Sequence, residues 1–253
     1  NWKMNVGVRE SVALARASLL TLRGRKLIPD VVICPPFVAL SEVRKVVARS
    51  SAAIGAQNMF WEPSGSYTGE TSSRVLLEVG VSYVIIGHSE RRAQLRETDE
   101  MVNKKLLHAL NEQLTPILCV GESKAQRDAG EARAVVEGQL SAALRDGRLH
   151  PQARLFIAYE PVWAFGTGDS ASVGDVIEMH RFIRSVLEHL FVDVPASQYG
   201  VLYGGSVDGK NAYGFLREAD VDGVLVGSAS VKIHQFKEIV EAAAEVLEAQ
   251  QST

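Results

Sequence analysis

Glu160 ends an apolar run, Leu155-Phe156-Ile157-Ala158-Tyr159, and is followed by Pro161, which has no N–H with which to extend a ladder. A carboxylate at the tip of a buried strand is placed to act as a base away from water. The residues that follow, Val162, Trp163, Ala164, Phe165, Gly166, Thr167 and Gly168, have an apolar middle and closely spaced Gly and Thr. Loops over open surface are usually polar. The composition therefore predicts that Pro161 to Gly168 is a flap with its own apolar face, closing on a pocket. Other strand-like runs also end in residues that can do chemistry: Lys3, Gln57-Asn58, His88, Glu122, Gly204-Gly205-Ser206 and Gly227-Ser228.

These residue types divide into roles. Glu160 can take a proton, His88 can give one or donate a hydrogen bond, and Lys3 is a cation beside any charge that develops. The two glycine-rich tips offer backbone N–H groups to a phosphate. Taken singly, a His is more often structural, a Lys is usually solvated, and Gly-Gly-Ser is usually a turn. What sets this group apart is its common position at strand ends. His88 also precedes Ser89-Glu90-Arg91-Arg92, which reads as a short helix start. Backbone N–H groups there would donate to one ring nitrogen, keep the imidazole neutral and leave the other nitrogen as donor.

The elements that position these residues alternate. Strand-like runs cover 31–34, 52–56, 83–86, 116–120, 155–159, 200–203 and 223–226. Helix-period segments cover 8–22, 37–47, a short stretch from 74, 101–110, 132–144, 176–190, 210–216 and 236–249. In the first of these, Val12, Leu14, Leu19, Leu20 and Leu22 are expected on or near one face. The strands are short, apolar throughout and rich in Val and Ile, as in a parallel sheet covered on both faces. Strand-then-helix repetition over this length predicts an α/β protein, a (β/α)₈ TIM barrel, rather than an open doubly wound sheet. No linker-like composition divides residues 1–253, so a single barrel domain is expected. Only seven strands are counted, and the opening helix has none before it. Asn1-Trp2-Lys3 then reads as the tail of a first strand, with roughly 5–10 residues, about one strand's length, expected upstream. In a barrel the loops at the strands' C-terminal ends share one face, where such residues build a site, and the loops after strands seven and eight commonly hold a phosphate.

Composition narrows the partners. The 253 residues are 46% hydrophobic and 23% charged, with a formal net charge of −3, which gives no reason to expect nucleic acid or an anionic membrane as partner. An anionic substrate must therefore be held by local groups. No apolar run reaches the roughly 18–20 residues of a membrane span. Cys34 and Cys119 sit in apolar strand-like runs, where buried free thiols are expected rather than a disulfide. A reducing cytoplasm fits this usage. The long polar loop from Phe60 to Ser73 suggests a functional or partner-binding role.

Several segments carry a resemblance to a known family. They are Asn1-Trp2-Lys3-Met4-Asn5, Gly55-Ala56-Gln57-Asn58, Tyr67-Thr68-Gly69-Glu70, Ile86-Gly87-His88-Ser89-Glu90-Arg91-Arg92, Cys119-Val120-Gly121-Glu122, Ala158-Tyr159-Glu160-Pro161-Val162-Trp163-Ala164 with Gly166-Thr167-Gly168, Tyr203-Gly204-Gly205-Ser206-Val207 and Leu225-Val226-Gly227. In this order, and covering nearly the whole chain, they resemble the triosephosphate isomerases. The resemblance implies interconversion of dihydroxyacetone phosphate and D-glyceraldehyde 3-phosphate, as in glycolysis and gluconeogenesis, with no metal and no organic cofactor. It implies Glu160 as the base working through an enediol(ate), His88 as the neutral electrophile and Lys3 as the cation at the substrate oxygens. It further implies Asn1 as a neighbouring donor, Glu90 as the carboxylate beside the lysine, and Gly166, Ser206, Gly227 and Ser228 as backbone donors to the phosphate. The family is the type example for the first two roles. It also implies a homodimer, in which the loop around Thr68 enters the neighbouring subunit near Lys3. Three positions depart from the family's usual pattern: Phe165 at the flap tip, Ser228 in place of a second Gly, and Asp169-Ser170-Ala171 at the hinge. Two other readings stand beside this one: another phosphosugar isomerase or epimerase on the same barrel, and a non-catalytic barrel. Neither would be expected to keep Lys3, His88 and Glu160 together.

Overall fold

The structure, a computed structural model, describes residues 1–164 and 171–251. Seven parallel strands form one sheet in sequential order. They are β1 (Val32–Ile33), β2 (Ala53–Ala56), β3 (Tyr83–Ile86), β4 (Thr115–Val120), β5 (Leu155–Tyr159), β6 (Tyr199–Tyr203) and β7 (Gly223–Val224). The helices are α1 (Val8–Thr21), α2 (Leu40–Val47), α3 (Ser73–Val79), α4 (Ser89–Leu95), α5 (Asp99–Asn111), α6 (Lys124–Asp128), α7 (Ala132–Ala143), α8 (Val173–Leu190), α9 (Ala212–Leu216) and α10 (Ile233–Gln251). They lie outside the sheet, and α1 packs against both α2 and α10, so the helical layer closes on itself.

Curling brings β1 and β7 toward each other. The Asn1 nitrogen donates to Val226 O and the Trp2 N–H to Cys34 O, both at 3.0 Å. Residues 1–3 therefore bridge the two edges at their C-terminal ends, as the tail of a first strand would. β1 and β7 are the shortest strands, two residues each, because each is laddered on one side only along most of its length. The architecture is that of a (β/α)₈ barrel in which the first strand's place holds only Asn1–Lys3.

Period-two alternation sorts the strand residues into two apolar layers. Val84, Ile86, Leu118, Val120, Ile157, Tyr159, Val201 and Tyr203 face the helices and join the large core. Ile85, Ile117, Cys119, Ala158 and Leu225, with Cys34, face the barrel axis and form a second, smaller cluster. Both cysteines are buried free thiols, as expected.

Local signals account for several of the helix starts. Ser72, Thr98, Ser123 and Ser172 each accept a hydrogen bond from a first-turn N–H, capping α3, α5, α6 and α8. The Ser172 cap starts α8 at Val173, earlier than the apolar periodicity suggested. Helix α6 was not anticipated: it is five residues long, too short for periodicity, but a capping box of Ser123 and Gln126 marks it. The α1 face also differs from expectation. Its buried residues are Ser11, Ala15 and Ser18, while Leu20 is 58% exposed. Leu14 and Leu19 do pack against the core and Leu22, just past the helix, is buried, as expected, while the small side chains of Ser11, Ala15 and Ser18 make the closest approach to the neighbouring helices and Leu20 is left outside.

Candidate active site

The strands' C-terminal ends open into a cavity of about 300 Å³, lined by Asn1, Lys3, Asn5, His88, Glu160, Gly204, Gly205, Ser206, Val207, Leu225, Gly227 and Ser228. Glu160 is in phase with the axis-facing Phe156 and Ala158, so the strand's own alternation aims it into the mouth. Its backbone is tied to the neighbouring strands by Glu160 N to Val120 O at 2.7 Å and Gly204 N to Tyr159 O at 2.8 Å. A Cβ at position 204 would lie 3.0 Å from Glu160 Cγ, so glycine there leaves the carboxylate its room.

Glu160 is 1% exposed. Its Oε2 accepts the Ser89 N–H at 2.8 Å, and its Oε1 lies 3.0 Å from His88 Nε2. His88 caps α4: its Nδ1 accepts the Glu90 N–H at 3.2 Å. An accepting Nδ1 puts the ring proton on Nε2, which then donates to Glu160. The helix start read in the sequence thus fixes the tautomer. Beneath this pair lies Cys119, whose thiol is pushed well up by burial and by the Glu160 carboxylate beside it, so it stays protonated.

His88 points into the mouth because the strand's alternation is broken just before it. Gly87 has φ +72°, a left-handed backbone open to glycine. Its peptide is gripped from both sides: Glu97 Oε1 accepts the Gly87 N–H at 3.1 Å, and Arg92 Nε donates to Gly87 O at 2.9 Å. Glu97 is buried and also accepts from Arg91 Nε and Lys105 Nζ, both at 2.6 Å. Burial alone would raise the Glu97 carboxyl, but Lys105 and Arg91 outweigh it and hold it below the usual range. Sequence reasoning missed Glu97 and Lys105. Glu97 lies in a short polar segment without periodicity, and Lys105, although on the buried side of α5 with Val102, Leu106 and Ala109, is a residue type usually found on the solvated face.

On the opposite wall, Lys3 Nζ meets Glu90 Oε1 at 2.5 Å. Lys3 adopts φ 51°, uncommon outside glycine and a conformation that surrounding contacts must impose. Asn1 Oδ1 accepts the Lys3 N–H at 3.0 Å, and Gln57 Nε2 donates to Lys3 O at 2.9 Å and to Cys34 O at 3.0 Å. Asn1 thereby shapes the turn that presents Lys3. Ser206 and Ser228 sit exposed at the rim beside Gly227.

The structure thus gathers Lys3, Asn1, Glu90, His88, Glu160, Ser206, Gly227 and Ser228 around one mouth. Thr68 lies apart, on the exposed stretch of the long loop. Of the expected flap, Pro161 to Ala164 are described, with a 3₁₀ turn at Val162–Ala164. Phe165, Gly166, Thr167 and Gly168, and with them Gly166 as a phosphate donor, lie outside the described residues, as do Asp169 and Ser170. Trp163 Nε1 donates to Glu122 Oε1 at 2.8 Å, and Arg127 stacks on the indole at 4.6 Å. A larger open groove of about 550 Å³ lies between α7 and α8, but its arginines are engaged, Arg133 with Glu178 and Arg181 with Asp220. Among the described residues its lining includes no histidine and no carboxylate other than the paired Glu178. Among the described residues, no helix is long and apolar enough to cross a membrane.

Fold and site together define a (β/α)₈-type barrel with a carboxylate–imidazole pair in the mouth at its strands' C-terminal ends. A family profile described as triosephosphate isomerase matches residues 1–243. The triosephosphate isomerase of Caldanaerobacter subterraneus subsp. tengcongensis is 46% identical over 240 residues, 95% of this chain and 96% of that protein. That of Herpetosiphon aurantiacus is 46% identical over 243 residues, with the same coverage. That of Roseiflexus sp. (strain RS-1) is 47% identical over 240 residues, 95% of this chain and 94% of that protein. The chain belongs to the triosephosphate isomerase family, a family of isomerase enzymes.

Proposed function

We propose that the protein interconverts dihydroxyacetone phosphate and D-glyceraldehyde 3-phosphate, with Glu160 moving a proton between adjacent carbons through an enediol(ate). The observation that carries this reading is the Glu160 Oε1 to His88 Nε2 contact of 3.0 Å inside a mouth that also holds Lys3. Removing a proton next to a carbonyl develops charge on the oxygen. The His88 Nε2–H and the Lys3 ammonium are fixed donors for that charge, and donors fixed in advance stabilise the transition state more than the ground state. Asn1 and Glu90 hold Lys3 in place. The phosphate lies on the Ser206, Gly227 and Ser228 side, with Gly166 as a further donor. No metal or organic cofactor takes part. The whole chain acts as one barrel domain, in glycolysis and gluconeogenesis, in the cytoplasm.

The working unit is a homodimer. Met4, next to Lys3, is 95% exposed, and Val38, just after β1, is 75% exposed. Tyr67, Leu95 and Met101 are also exposed. Exposed apolar side chains at the N-terminal turn and in the segments after β1, β2 and β3 suit a second copy, with the Thr68 loop reaching its neighbour's Lys3. Sedimentation as a monomer at micromolar concentration would overturn this part.

The test of the reaction is isomerase activity on D-glyceraldehyde 3-phosphate for wild type and Glu160→Asp. Shortening the base by one methylene moves the carboxylate by about 1 Å and should cost on the order of a hundred- to a thousandfold in turnover. An inactive wild type, or a fully active Glu160→Asp, would refute the assignment.

A further inference from the structure

The rim of the mouth holds a hydroxyl that the proposed chemistry leaves unused. Ser228 opens a short 3₁₀ turn, Ser228–Val231, directly after the Gly227 tip. It is exposed and lines the cavity together with Lys3 and Ser206. Among the described residues neither its N–H nor its hydroxyl has a hydrogen-bond partner. The contrast with Ser230 in the same turn is direct: that hydroxyl is consumed, donating to Gly227 O at 2.6 Å. The Lys3 ammonium is close, since a Cβ placed on Gly227 would lie 3.8 Å from Lys3 Nζ. Ser228 therefore directly follows a residue that lies beside the Lys3 cation, and among the described residues its own N–H is unspent as well.

We infer that the Ser228 hydroxyl is an additional hydrogen-bond donor to the substrate's phosphate and sets affinity for phosphorylated ligands, not the rate of proton transfer. The inference rests on reading the mouth as a phosphorylated-substrate site. A hydroxyl rotates freely about its C–O bond, so it can aim its proton at a phosphate oxygen without moving the backbone. The phosphate keeps its charge while the proton moves between carbons. A bond to it is then equally strong in ground and transition states, which lowers KM and leaves kcat alone. Glycine at this position would supply the N–H but not the hydroxyl.

The experiment compares wild type, Ser228→Ala and Ser228→Gly, using inorganic phosphate as a competitive inhibitor alongside steady-state kinetics on D-glyceraldehyde 3-phosphate. Loss of a hydrogen bond to a charged group should raise both KM and the phosphate inhibition constant by about tenfold in each variant, with kcat within about twofold of wild type. Alanine keeps the Cβ and glycine frees the backbone, so agreement between them assigns the effect to the hydroxyl. Unchanged phosphate inhibition in Ser228→Ala, or a fall in kcat at constant KM, would overturn the inference while leaving the reaction assignment intact. An active wild type that inorganic phosphate does not inhibit at all would overturn both the phosphate reading and the inference.

Discussion

Two glutamates stand at the tips of neighbouring strands, and they do opposite things. Glu122 follows β4 and is 0% exposed; Glu160 follows β5 and is 1% exposed. Glu122 Oε1 accepts from Tyr159 OH at 3.0 Å, Trp163 Nε1 at 2.8 Å and Arg127 NH1 at 3.3 Å. Glu160 accepts one backbone N–H and faces an imidazole at the wall of a cavity. Burial and residue type are the same, and strand parity makes the difference. Glu122 continues the alternation of Leu118 and Val120, which face the helices. Glu160 continues that of Phe156 and Ala158, which face the axis. One step of register decides whether a carboxylate joins the scaffold or the barrel mouth.

The scaffold carboxylate supports its neighbour. Tyr159, which donates to Glu122, directly precedes Glu160, and burial together with the Glu122 charge pushes the Tyr159 hydroxyl up, so it remains a donor. Arg127 adds a contact to Asp175 at 2.6 Å in the first turn of α8. The donors on Glu122 thus tie β4, β5, α6 and α8 together behind the mouth.

Four changes probe this division, given from the largest effect to the smallest. On the mouth side, His88→Gln should lower turnover by about a hundred- to a thousandfold, because Nε2 is the donor aimed at the reacting oxygen. Melting should stay within a few degrees of wild type; a large melting shift with normal turnover would place His88 in the scaffold. On the scaffold side, Glu122→Gln should destabilise the fold by about 1–3 kcal/mol in urea unfolding, since Arg127 loses one of its two carboxylate partners and a buried amide gains an unmatched donor. His180, behind the scaffold, carries a pH prediction. It is buried edge-on to Tyr159, its Nδ1 lies 2.9 Å from Asp220 O, and burial lowers its pKa from 6.5 to about 4. The unfolded chain therefore binds a proton between those values that the folded chain does not. Stability should be fully present above about pH 6.5 and fall toward pH 4, by up to about 3 kcal/mol. Urea midpoints from pH 7 to 5 should drop less in His180→Gln than in wild type; equal slopes would remove His180 as the cause. Arg127→Ala should cost about 1 kcal/mol, since the guanidinium is partly exposed and water replaces some of its bonds.

Much of this was legible in the sequence because strand ends announce themselves. Glu160, His88 and Lys3 each close an apolar run, and a parallel barrel gathers such ends on one face. Cap chemistry was legible too: Ser89 and Glu90 after His88 predicted the bond that sets the imidazole tautomer. The supporting shell was less so. Glu97 reaches Gly87 from a segment ten residues on, and no spacing rule links a short polar stretch to a left-handed glycine. The role of Glu122 was readable only by carrying β4's inward–outward alternation one residue past its end. The exposed Leu20 on α1 shows the limit of apolar periodicity, because the close contact there is made by Ser11, Ala15 and Ser18.

The most direct measurement is a crossed one: turnover and urea unfolding on Glu160→Gln and Glu122→Gln, side by side. Glu160→Gln should lose about a thousandfold or more in turnover with stability equal to or above wild type, since it removes a buried charge that the scaffold does not use. Glu122→Gln should lose stability and keep turnover within about tenfold. If Glu160→Gln keeps its activity, or if the two variants lose activity and stability in the same proportion, then strand parity does not separate scaffold from chemistry in this barrel.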